Sequence, residues 1–550
     1  MIKRIFTFLV LFVASCLAQA AVTVDHLQVE HLDAPLGIDT ALPRFSWRIV
    51  SDDSCVVQTG YELTVESDGK TLWQTGLVGS DEQLWVPYRG LPLSSGQFCT
   101  WRLRVHTNRG TSEWSQPQPF SIGLLSESQW RGYWIGLPHL QTGEEGATTY
   151  PRIAARYLRK VATLQAKSLR RATAYISGLG YYRLFINGYE VGADDVLKPA
   201  PTDYRKTILY NTYDVTDLLS ATDSPSTTFG IVLGAGRYFA LRQNKPYKNT
   251  TFGLPCCRMN VIVEYADGTQ QRIVTDDSWR VTADGPIRAN NEYDGEEYDA
   301  RKELTGWLTA GYDDSAWLQA ERTALPQGTL RGQMTPTIQA TPFPIAGGSP
   351  QPNLHPSPSS VHRIIDIGQN LSGWVTFRPT GKAGDTIRVR YAERLNADGT
   401  LYTENLRHAR STDIYVCSGR DAATWRPSFV YHGFRYVEIT GLRETPNLDD
   451  FEGWVIYDEM PVTGSFESSN EIVNAVYRNA YWGIRGNYRS MPTDCPQRDE
   501  RMGWTGDRAT GCFGESYIFD NQQLYSKWVT DTEDSQLESG SVPDVIPPYW

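Results

Sequence analysis

Apolar and polar residues alternate with a period of two through most of the chain up to about residue 457. Between residues 22 and 122 the alternation falls into short runs such as PRFSWRI, GYELTVES and TWRLRVHT, which turn-forming residues separate at nearly regular intervals. This period predicts short strands with one buried face, and the even spacing is typical of an immunoglobulin- or fibronectin-like β-sandwich. We therefore predict such a sandwich for residues 21–124, with Trp47 and Trp101 in its core.

Two further all-β blocks follow. Residues 125–333 contain strand-length runs such as RATAYISGLGYYRLFINGYEVG, which break at Asn-Gly, Asp-Gly and Gly-rich turns and favour a jelly roll. The stretch TPTIQATPFPIAGGSPQPNLHPSPSS, residues 335–360, is rich in Pro, Gly and Ser, and we predict a boundary strap there without a packed element. Alternating runs then resume, so that residues 334–460 predict a second β-sandwich.

After residue 460 the period changes to that of an amphipathic helix. In SSNEIVNAVYRNAYWGIRGNYRS the apolar residues recur three and four positions apart, and Ser469 or Asn470 suits the N-cap. These apolar positions are Ile472, Val473, Val476, Tyr477, Ala480, Tyr481 and Ile484. Two more helices are expected near 508–519 and 522–534. The fold class is thus three β modules that lead into a helical module at 461–550.

The overall charge excludes some partners. The net charge is −11 and the pI is near 5.4, whereas nucleic acids and anionic membranes require a basic protein face. Most of the 17 tryptophans and 30 tyrosines are expected in cores and on strand faces. A minority in clefts would suit sugar rings, which present flat C–H faces and hydroxyl edges. No run after the N-terminus is long enough for a transmembrane span.

The first twenty residues have the features of a targeting segment. Lys3 and Arg4 precede an apolar run, and Ala18-Gln19-Ala20 fits a signal-peptidase site, so we predict a signal peptide at 1–20 and export to the periplasm, cell surface or medium. The alternative is a lipoprotein anchored through Cys16. Seven of the eight cysteines lie beyond residue 20 without metal-ligand spacing, which argues against a zinc site.

The remaining cysteines allow one disulfide in the first module, between Cys55 and Cys99. Cys256 and Cys257 are expected to be buried, and Cys495 is a candidate free thiol. Calcium is a minor alternative cofactor, because hard oxygen ligands are available at Asp194-Asp195 and Thr202-Asp203. Turn chemistry is the competing explanation for those aspartates.

The stretch TDCPQRDERMGWTGD, residues 493–507, combines many charges with a tryptophan between two glycines. Pro496 suits the first turn of a helix, so a short helix over 496–503 would place Gln497, Glu500 and Trp504 on one face. Glu500 beside the indole and near other carboxyls would then favour the protonated state that a general acid needs. Surface ion pairs are the alternative, with helix capping as the alternative role of Asp494 and Asp507.

The longer stretch MPTDCPQRDERMGWTGD closely resembles the signature of bacterial α-L-rhamnosidases of glycoside hydrolase family 78. Upstream segments, including LDAPLGIDTALPRFSW, GEEYDARKELTGW and IDIGQNLSGWV, also resemble that family, in order along the chain. The resemblance implies that the helical module is the first part of an (α/α)6 barrel. It also implies inverting hydrolysis of terminal α-L-rhamnose from glycans or glycosides, without a cofactor.

The resemblance assigns roles to individual residues. Glu500 matches the general acid, and Asp499 is a secondary carboxylate beside it. Residues that match those holding the rhamnose ring are Asp494, Arg498, Trp504 and Asp507. An inverting enzyme also needs a carboxylate base about 6.5–9.5 Å from the acid, and no residue of this chain matches the family's base.

The helical module also falls short of the resemblance. Twelve helices with their loops need at least roughly 200 residues, and residues 461–550 supply fewer than half of that. We therefore expect an incomplete barrel with exposed apolar helix faces and little or no hydrolysis by the 550-residue chain. The alternatives are a non-catalytic rhamnose- or carbohydrate-binding protein, a six-hairpin glycosidase for another sugar, and a structural adhesin.

Overall fold

A computed structural model describes residues 22–144, 152–220, 225–240, 250–343, 353–356, 363–420, 423–442 and 450–549. The predicted signal peptide and Cys16 lie outside these residues. The chain divides into two compact units: one consists of the residues up to 35 and residues 40–122, and the other of residues 36–39 and 123 onwards. None of the described helices has the length and apolar character required to cross a bilayer.

The first unit is a β-sandwich. Its strands are β1 Thr23–Val29, β2 Leu32–Asp33, β3 Arg44–Val50, β4 Gln58–Ser67, β5 Lys70–Gln74, β6 Val86–Pro87, β7 Phe98–Thr107, β8 Gly110–Thr111 and β9 Gln118–Ser121. One sheet has the order β2-β1-β3-β6, and the other has the order β5-β4-β7-β8 with β9 paired to β7. Trp47 and Trp101 are each 1% exposed, which confirms their predicted place in the core.

The second unit begins with two sheets that share one core. Its strands up to residue 332 are β10 Ile135–Gly136, β11 Arg156–Thr163, β12 Leu169–Leu179, β13 Tyr181–Ile186, β14 Tyr189–Val191, β15 Asp195–Val196, β16 Thr207–Asp214, β17 Ser226–Gly234, β18 Cys256–Tyr265, β19 Gln270–Val274, β20 Arg280–Thr282, β21 Ile287–Asn291, β22 Gly295–Asp299, β23 Leu318–Gln319, β24 Glu321–Arg322 and β25 Thr329–Gly332. One sheet runs β24-β10-β18-β12-β16-β25 with β19 on β18, and the other runs β14-β13-β17-β11-β20-β23. Apolar residues from both sheets, such as Ile176, Ile231 and Val261, form the buried core between them.

A ten-stranded sheet makes up most of the next region. The strands after residue 332 are β26 Ile338–Phe343, β27 Asn353–Pro356, β28 Arg363–Phe377, β29 Thr386–Ala392, β30 Arg394–Leu395, β31 Leu401–Tyr402, β32 Thr412–Val416, β33 His432–Thr440 and β34 Phe451–Asp458. The sheet order is β15-β26-β34-β28-β33-β29-β32-β22-β21, with β27 on β28. Strands β15, β21 and β22 therefore join it from the residue range predicted as the jelly roll, and the predicted domain boundaries stay predictions.

The predicted strap contains strands, so the expectation that it forms no packed element is wrong. Residues 338–343 (β26) pair antiparallel with β34, in a register that places Ile338 opposite Asp458 and Phe343 opposite Gly453. Ile338 and Phe343 are buried. The proline and glycine content of the stretch argued against a strand. Its partner β34 lies more than a hundred residues away in the sequence, so the pairing that stabilises β26 left no local sign. The Pro-rich segments at 344–352 and 357–362 lie outside the described residues.

Four α-helices are described: α1 Thr216–Ser220, α2 Glu471–Gly486, α3 Thr505–Glu515 and α4 Gln522–Ser535. The three helices predicted for the last module are confirmed, although α3 begins and ends earlier than expected. Asn470 is the N-cap of α2, and its side chain accepts hydrogen bonds from the N–H groups of Ile472 and Val473 at 2.9 and 3.3 Å. This arrangement satisfies two of the N–H groups that a helix start leaves unpaired.

Several apolar side chains of this helical module are exposed. Ile472 and Val476 on α2 are 76% and 61% exposed, and Phe513 on α3 is 73% exposed. The expectation of exposed apolar helix faces is therefore confirmed for these residues.

The described cysteines are free thiols, so the suggested bridge between Cys55 and Cys99 is wrong. Cys99 lies on the buried face of β7, whereas Cys55 is exposed. Cys256 and Cys257 are buried as predicted, and Cys495 is buried as well. Burial raises the pKa of the Cys495 thiol to about 12, with the nearby Asp494 carboxylate adding to the effect, so this thiol stays protonated at neutral pH.

Candidate active site

The charged stretch at 493–507 folds as a closed loop rather than as a helix. The predicted helix over 496–503 is wrong, because the next helical residue after α2 is Thr505. Asp494 and Met502 close the loop: the Asp494 N–H donates to the Met502 carbonyl at 3.0 Å, and the Met502 N–H donates to Asp494 Oδ1 at 2.7 Å. Arg501 has φ +54°, which a right-handed helix does not allow. The argument that placed Gln497, Glu500 and Trp504 on one helical face therefore fails.

Arg501 is the buried support of this loop. Its side chain is fully buried and donates to the carbonyls of Arg498 at 3.1 Å and Gln497 at 3.3 Å, within the loop. It also donates to the carbonyls of Glu292 at 2.5 Å and Tyr431 at 2.8 Å, which belong to the β region. The Arg501 guanidinium therefore binds main-chain oxygens from both the loop and the β region.

A second buried arginine, Arg237, and the tyrosine Tyr293 also bind main-chain carbonyls of this loop. Arg237 donates to the Arg501 carbonyl and forms an ion pair with Glu292, with Nε 3.0 Å from Oε1. The Tyr293 hydroxyl donates to the Glu500 carbonyl at 3.2 Å. Arg237 also donates to that hydroxyl at 2.8 Å. The main chain on both sides of the Glu500 side chain is therefore fixed by buried donors.

Glu500, Arg498 and Asp494 come together as predicted. Arg498 lies between the two carboxylates, with Nε 2.9 Å from Glu500 Oε2 and Nη2 3.1 Å from Asp494 Oδ2. Glu500 is 7% exposed, and the Asp494 side chain is 1% exposed. A fourth residue, Arg407, donates to Glu500 Oε2 at 2.7 Å. Its side chain is half exposed.

Arg407 was missed by the sequence reasoning. It lies 93 residues upstream of Glu500, directly after the 3₁₀ turn Glu404–Leu406, and it has φ +56°. No local feature of its sequence surroundings distinguishes it from other surface arginines. Only the pairing of the strands around it brings it to the acidic stretch.

The electrostatics of Asp494 follow from its surroundings. Burial raises the pKa of Asp494, and the nearby charge of Glu500 acts in the same direction. Hydrogen bonds from Cys495 and Met502 and the charge of Arg498 oppose this rise without cancelling it.

The other three predicted site residues occupy different surroundings. Asp499 is 3% exposed, and its Oδ1 accepts no hydrogen bond from the described residues. Trp504 immediately precedes α3, donates its N–H to the Met502 carbonyl at 3.0 Å and packs against the cluster that includes Trp528. Asp507 is exposed in the first turn of α3 rather than at its N-cap. Within the described part of the chain, no hydrogen bond or ion pair joins Asp507 to Glu500.

The site offers donor atoms but a poor cation site. Single ligand atoms of Asp494, Cys495 and Glu500 lie within 4.8 Å of one another. Arg498 and Arg407 already supply positive charge to these carboxylates, and a cation would have to displace them.

The carboxylates suggested for calcium make protein contacts. Asp195 Oδ1 accepts hydrogen bonds from Thr337 Oγ1 and Gln339 Nε2, both at 2.7 Å. Both oxygens of Asp203 bind Arg205. These contacts favour the turn and ion-pair roles for Asp195 and Asp203.

The chain is a multidomain protein in which β modules lead into helices, and a buried carboxyl–guanidinium cluster lies where the two meet. Four family models match the chain in order. They are the Rha78A-like N-terminal immunoglobulin domain at 24–126, the α-L-rhamnosidase N-terminal domain at 167–342, the bacterial α-L-rhamnosidase concanavalin-like domain at 357–457 and the bacterial α-L-rhamnosidase 6 hairpin glycosidase domain at 461–550. The chain belongs to the bacterial α-L-rhamnosidase family.

Individual relatives agree with the family models. A curated α-L-rhamnosidase of Formosa agariphila is 36% identical over 99% of this chain and 59% of its own length. The structure of an α-L-rhamnosidase from Dictyoglomus thermophilum matches with a TM-score of 0.86 and 36% identity, over 96% of this chain and 59% of that one. A Streptomyces avermitilis α-L-rhamnosidase complexed with L-rhamnose matches with a TM-score of 0.84 and 28% identity. This match covers 96% of this chain and 66% of that one. The chain therefore spans less than two thirds of these relatives.

Proposed function

We propose that the Glu500 site binds a terminal α-L-rhamnose unit and that the protein acts on rhamnose-containing glycans or glycosides. The observation that carries this proposal is the buried arrangement in which Arg498 bridges Asp494 and Glu500. A bridging guanidinium fixes both carboxylates in place and can donate to sugar hydroxyls at the same time. The names of the relatives support rhamnose as the sugar, and one relative has been seen with L-rhamnose bound.

In this proposal Glu500 is the general acid. Its Oε2 receives the hydrogen bonds from Arg407 and Arg498, whereas Oε1 receives none from the described residues. Oε1 is thus the oxygen that faces the glycosidic oxygen of the substrate and transfers the proton to it. Asp494, Arg498, Trp504 and Asp507 contact the rhamnose ring, and Asp499 supports the site from its buried position.

Asp494 does not have the position expected of the base that activates water. An inverting pair of carboxyl groups lies about 6.5–9.5 Å apart so that a water molecule fits between substrate and base. Oxygens of Asp494 and Glu500 lie within 4.8 Å of each other, and Asp494 is already bonded to Arg498 and to the Met502 N–H. Asp494 is therefore a ligand rather than the base, and we propose that residues 1–550 alone hydrolyse α-L-rhamnosides slowly or not at all.

We also propose that α2, α3 and α4 are the first helices of an (α/α)6 barrel. The match to the 6 hairpin glycosidase domain supports this, because such a domain is built from pairs of helices. The exposed side chains of Ile472, Val476 and Phe513 support it as well, since apolar helix faces pack against further helices in a complete domain. Export through the predicted signal peptide at 1–20 is part of the same proposal, and cell fractionation with detection of the N-terminus tests it.

An assay on aryl α-L-rhamnoside tests the proposed function. Binding of the rhamnoside with little turnover agrees with the proposal. Turnover comparable to that of ordinary glycosidases contradicts the proposal that residues 1–550 alone hydrolyse α-L-rhamnosides slowly or not at all. A panel of aryl glycosides tests the sugar, because the proposal requires selectivity for the 6-deoxy sugar and a glycosidase for another sugar does not. Glu500→Gln separates the roles, since it removes any residual turnover while binding persists.

A non-catalytic rhamnose-binding protein is the second candidate function. The short separation between Asp494 and Glu500 favours it for residues 1–550, because this pair leaves no place for an activated water. Rhamnose binding that survives Glu500→Gln, with no hydrolysis by the native chain under any condition, would support this candidate.

A further inference from the structure

A pocket of 260 Å³ lies between helix α2 and the ten-stranded sheet, and none of the residues that form it has been assigned a role. Its wall includes Trp482 and Asn479 of α2, together with Asn370 and Glu393 from the β region. Pro496, from the loop that carries Glu500, also lines it. We call this the Trp482 pocket. Its volume is close to the lower end of the range for small-ligand sites, about 300 Å³.

Helix α2 presents one face to the pocket. Asn479, Trp482, Gly483 and Gly486 are three, four and seven positions apart, which places them on the same side of the helix. A Cβ atom added at Gly483 would meet no atom within 4 Å. The glycine therefore keeps open a space that a side chain would fill, next to the half-buried indole of Trp482.

The polar groups of the pocket suit hydroxyl groups. Glu393 is held by two amides: Asn370 Nδ2 donates to Oε1 and Asn405 Nδ2 donates to Oε2, each at 2.9 Å. Asn487 donates to the Gly483 carbonyl at 2.9 Å, while its buried Oδ1 accepts no hydrogen bond from the described residues. Amides and a carboxylate pair with hydroxyls, and the Glu393 carboxylate disfavours an anionic ligand. The preferred ligand is a neutral, polyhydroxylated ring.

One short turn connects the pocket to the Glu500 site. Asn405 binds Glu393 in the pocket, and Arg407, two residues later, binds Glu500. Burial raises the pKa of Glu393, and the charge of Arg498 opposes that rise. The two sites are therefore neighbours that the 405–407 turn connects.

We propose that the Trp482 pocket binds the sugar unit to which the rhamnose is attached. Trp482 supplies an aromatic face for the C–H side of the ring, and Glu393 with its neighbouring amides binds the hydroxyls. The inference rests on the proposed function, and it narrows the substrate class to rhamnose linked to a neutral saccharide.

Calorimetric titration compares methyl α-L-rhamnoside with a rhamnosyl-glucose disaccharide. The native chain is expected to bind the disaccharide more tightly. Trp482→Ala is expected to lower the affinity for the disaccharide roughly tenfold, because an aromatic contact is lost. The affinity for methyl α-L-rhamnoside should stay unchanged. Gly483→Gln places a side chain in the open space at the pocket, where its Cβ atom meets no atom within 4 Å, and is expected to have the same effect. Gly514→Gln is the matched control, because Gly514 on α3 is also surrounded by open space.

Equal effects of Gly483→Gln and Gly514→Gln on disaccharide affinity would overturn the inference. If the native chain binds neither rhamnoside, the proposed function fails, and saturation-transfer NMR with methyl α-D-glucoside then decides about the pocket. A signal lost in Gly483→Gln and kept in Gly514→Gln supports a saccharide site. No signal from the native chain, or a signal that Gly483→Gln keeps, overturns it.

Discussion

Arg407 donates a 2.7 Å hydrogen bond to Glu500 across 93 residues of sequence. Arg407 follows a turn of the β region, whereas Glu500 belongs to the loop that precedes α3. The candidate acid site is thus assembled from two parts of the chain. Arg407 is half exposed, whereas Arg501 is fully buried and binds main-chain carbonyls.

Replacing Arg501 by Gln is expected to destabilise the protein by about 2–4 kcal/mol. The substitution removes hydrogen bonds from a charged group to buried carbonyls, and each such bond contributes about 1.5–3 kcal/mol before relaxation. Arg407→Gln is the control and should cost less than about 1 kcal/mol, because it breaks a partly exposed ion pair. Urea unfolding measures both, and equal losses would contradict the supporting role of Arg501.

Gly503→Ala is expected to disrupt the loop. A Cβ atom at Gly503 would lie 2.1 Å from the Ile546 carbonyl oxygen, and main-chain atoms cannot move aside without breaking the bond from the Ile546 N–H to the Gly503 carbonyl. We expect a loss of about 1–3 kcal/mol, typical of overpacking. Gly506→Ala, in the first turn of α3 with open space around it, should be neutral or stabilising by up to about 1 kcal/mol. Thermal unfolding that ranks the two variants in the opposite order would refute this account of Gly503.

Stability should fall as pH rises because of Glu296. Burial raises the pKa of Glu296 to about 8, with the charge of Asp413 acting in the same direction. A raised carboxyl pKa means that the folded state holds a proton that the unfolded state releases above its own pKa of about 4.3. The stabilising effect is complete below that pH and is lost as pH increases through about 8.

The matching variant is Glu296→Gln, which is neutral at all pH values. The native chain should lose up to about 1.4 kcal/mol of unfolding free energy per pH unit between about 4.5 and 8 from this group. The variant should lack that slope, while its carbonyl oxygen can still accept from the Ser428 and Phe429 N–H groups. Parallel pH profiles for the two proteins would show that Glu296 titrates normally.

The predictable part of the fold is the part that local periodicity controls. Strand β7 alternates buried and partly exposed residues without a break, which is the pattern from which its strand was predicted. Helix α2 and its Asn470 cap follow in the same way from residues within one turn of each other. Strand β26 was missed because its stability comes from pairing with distant β34.

The candidate site was predictable only as a set of residues. Asp494, Arg498 and Glu500 were chosen from one short stretch and do meet, but their arrangement depends on Arg501, whose Glu292 partner lies 209 residues away. That long-range anchor replaced the predicted helix with a loop. Arg407 could not be predicted from its sequence surroundings, because it too reaches Glu500 only through tertiary contacts, 93 residues away in the sequence. Short-range chemistry therefore selected the candidate residues, and tertiary contacts decided how those residues are arranged.

The exposed apolar residues of α2 are expected to cause self-association. Ile472 and Val476 are 76% and 61% exposed on one helix, and clustered apolar surface promotes association. Ile472→Gln with Val476→Gln should reduce concentration-dependent light scattering while the far-UV circular dichroism stays unchanged. Leu91→Gln is the control, because Leu91 is 84% exposed and lies in the first unit. Equal effects of the α2 pair and of Leu91→Gln would contradict a specific role of the helix face.

Calorimetric titration with L-rhamnose tests most directly whether the Glu500 site holds this sugar. The native chain is expected to bind L-rhamnose in preference to D-glucose. Arg498→Gln should weaken binding by roughly tenfold or more, since it removes a charged donor worth about 1.5–3 kcal/mol. Arg478→Gln, at an exposed position of α2, should leave the affinity unchanged. Absence of L-rhamnose binding, or equal affinities of the native chain and Arg498→Gln, would contradict the proposal that this site recognises rhamnose.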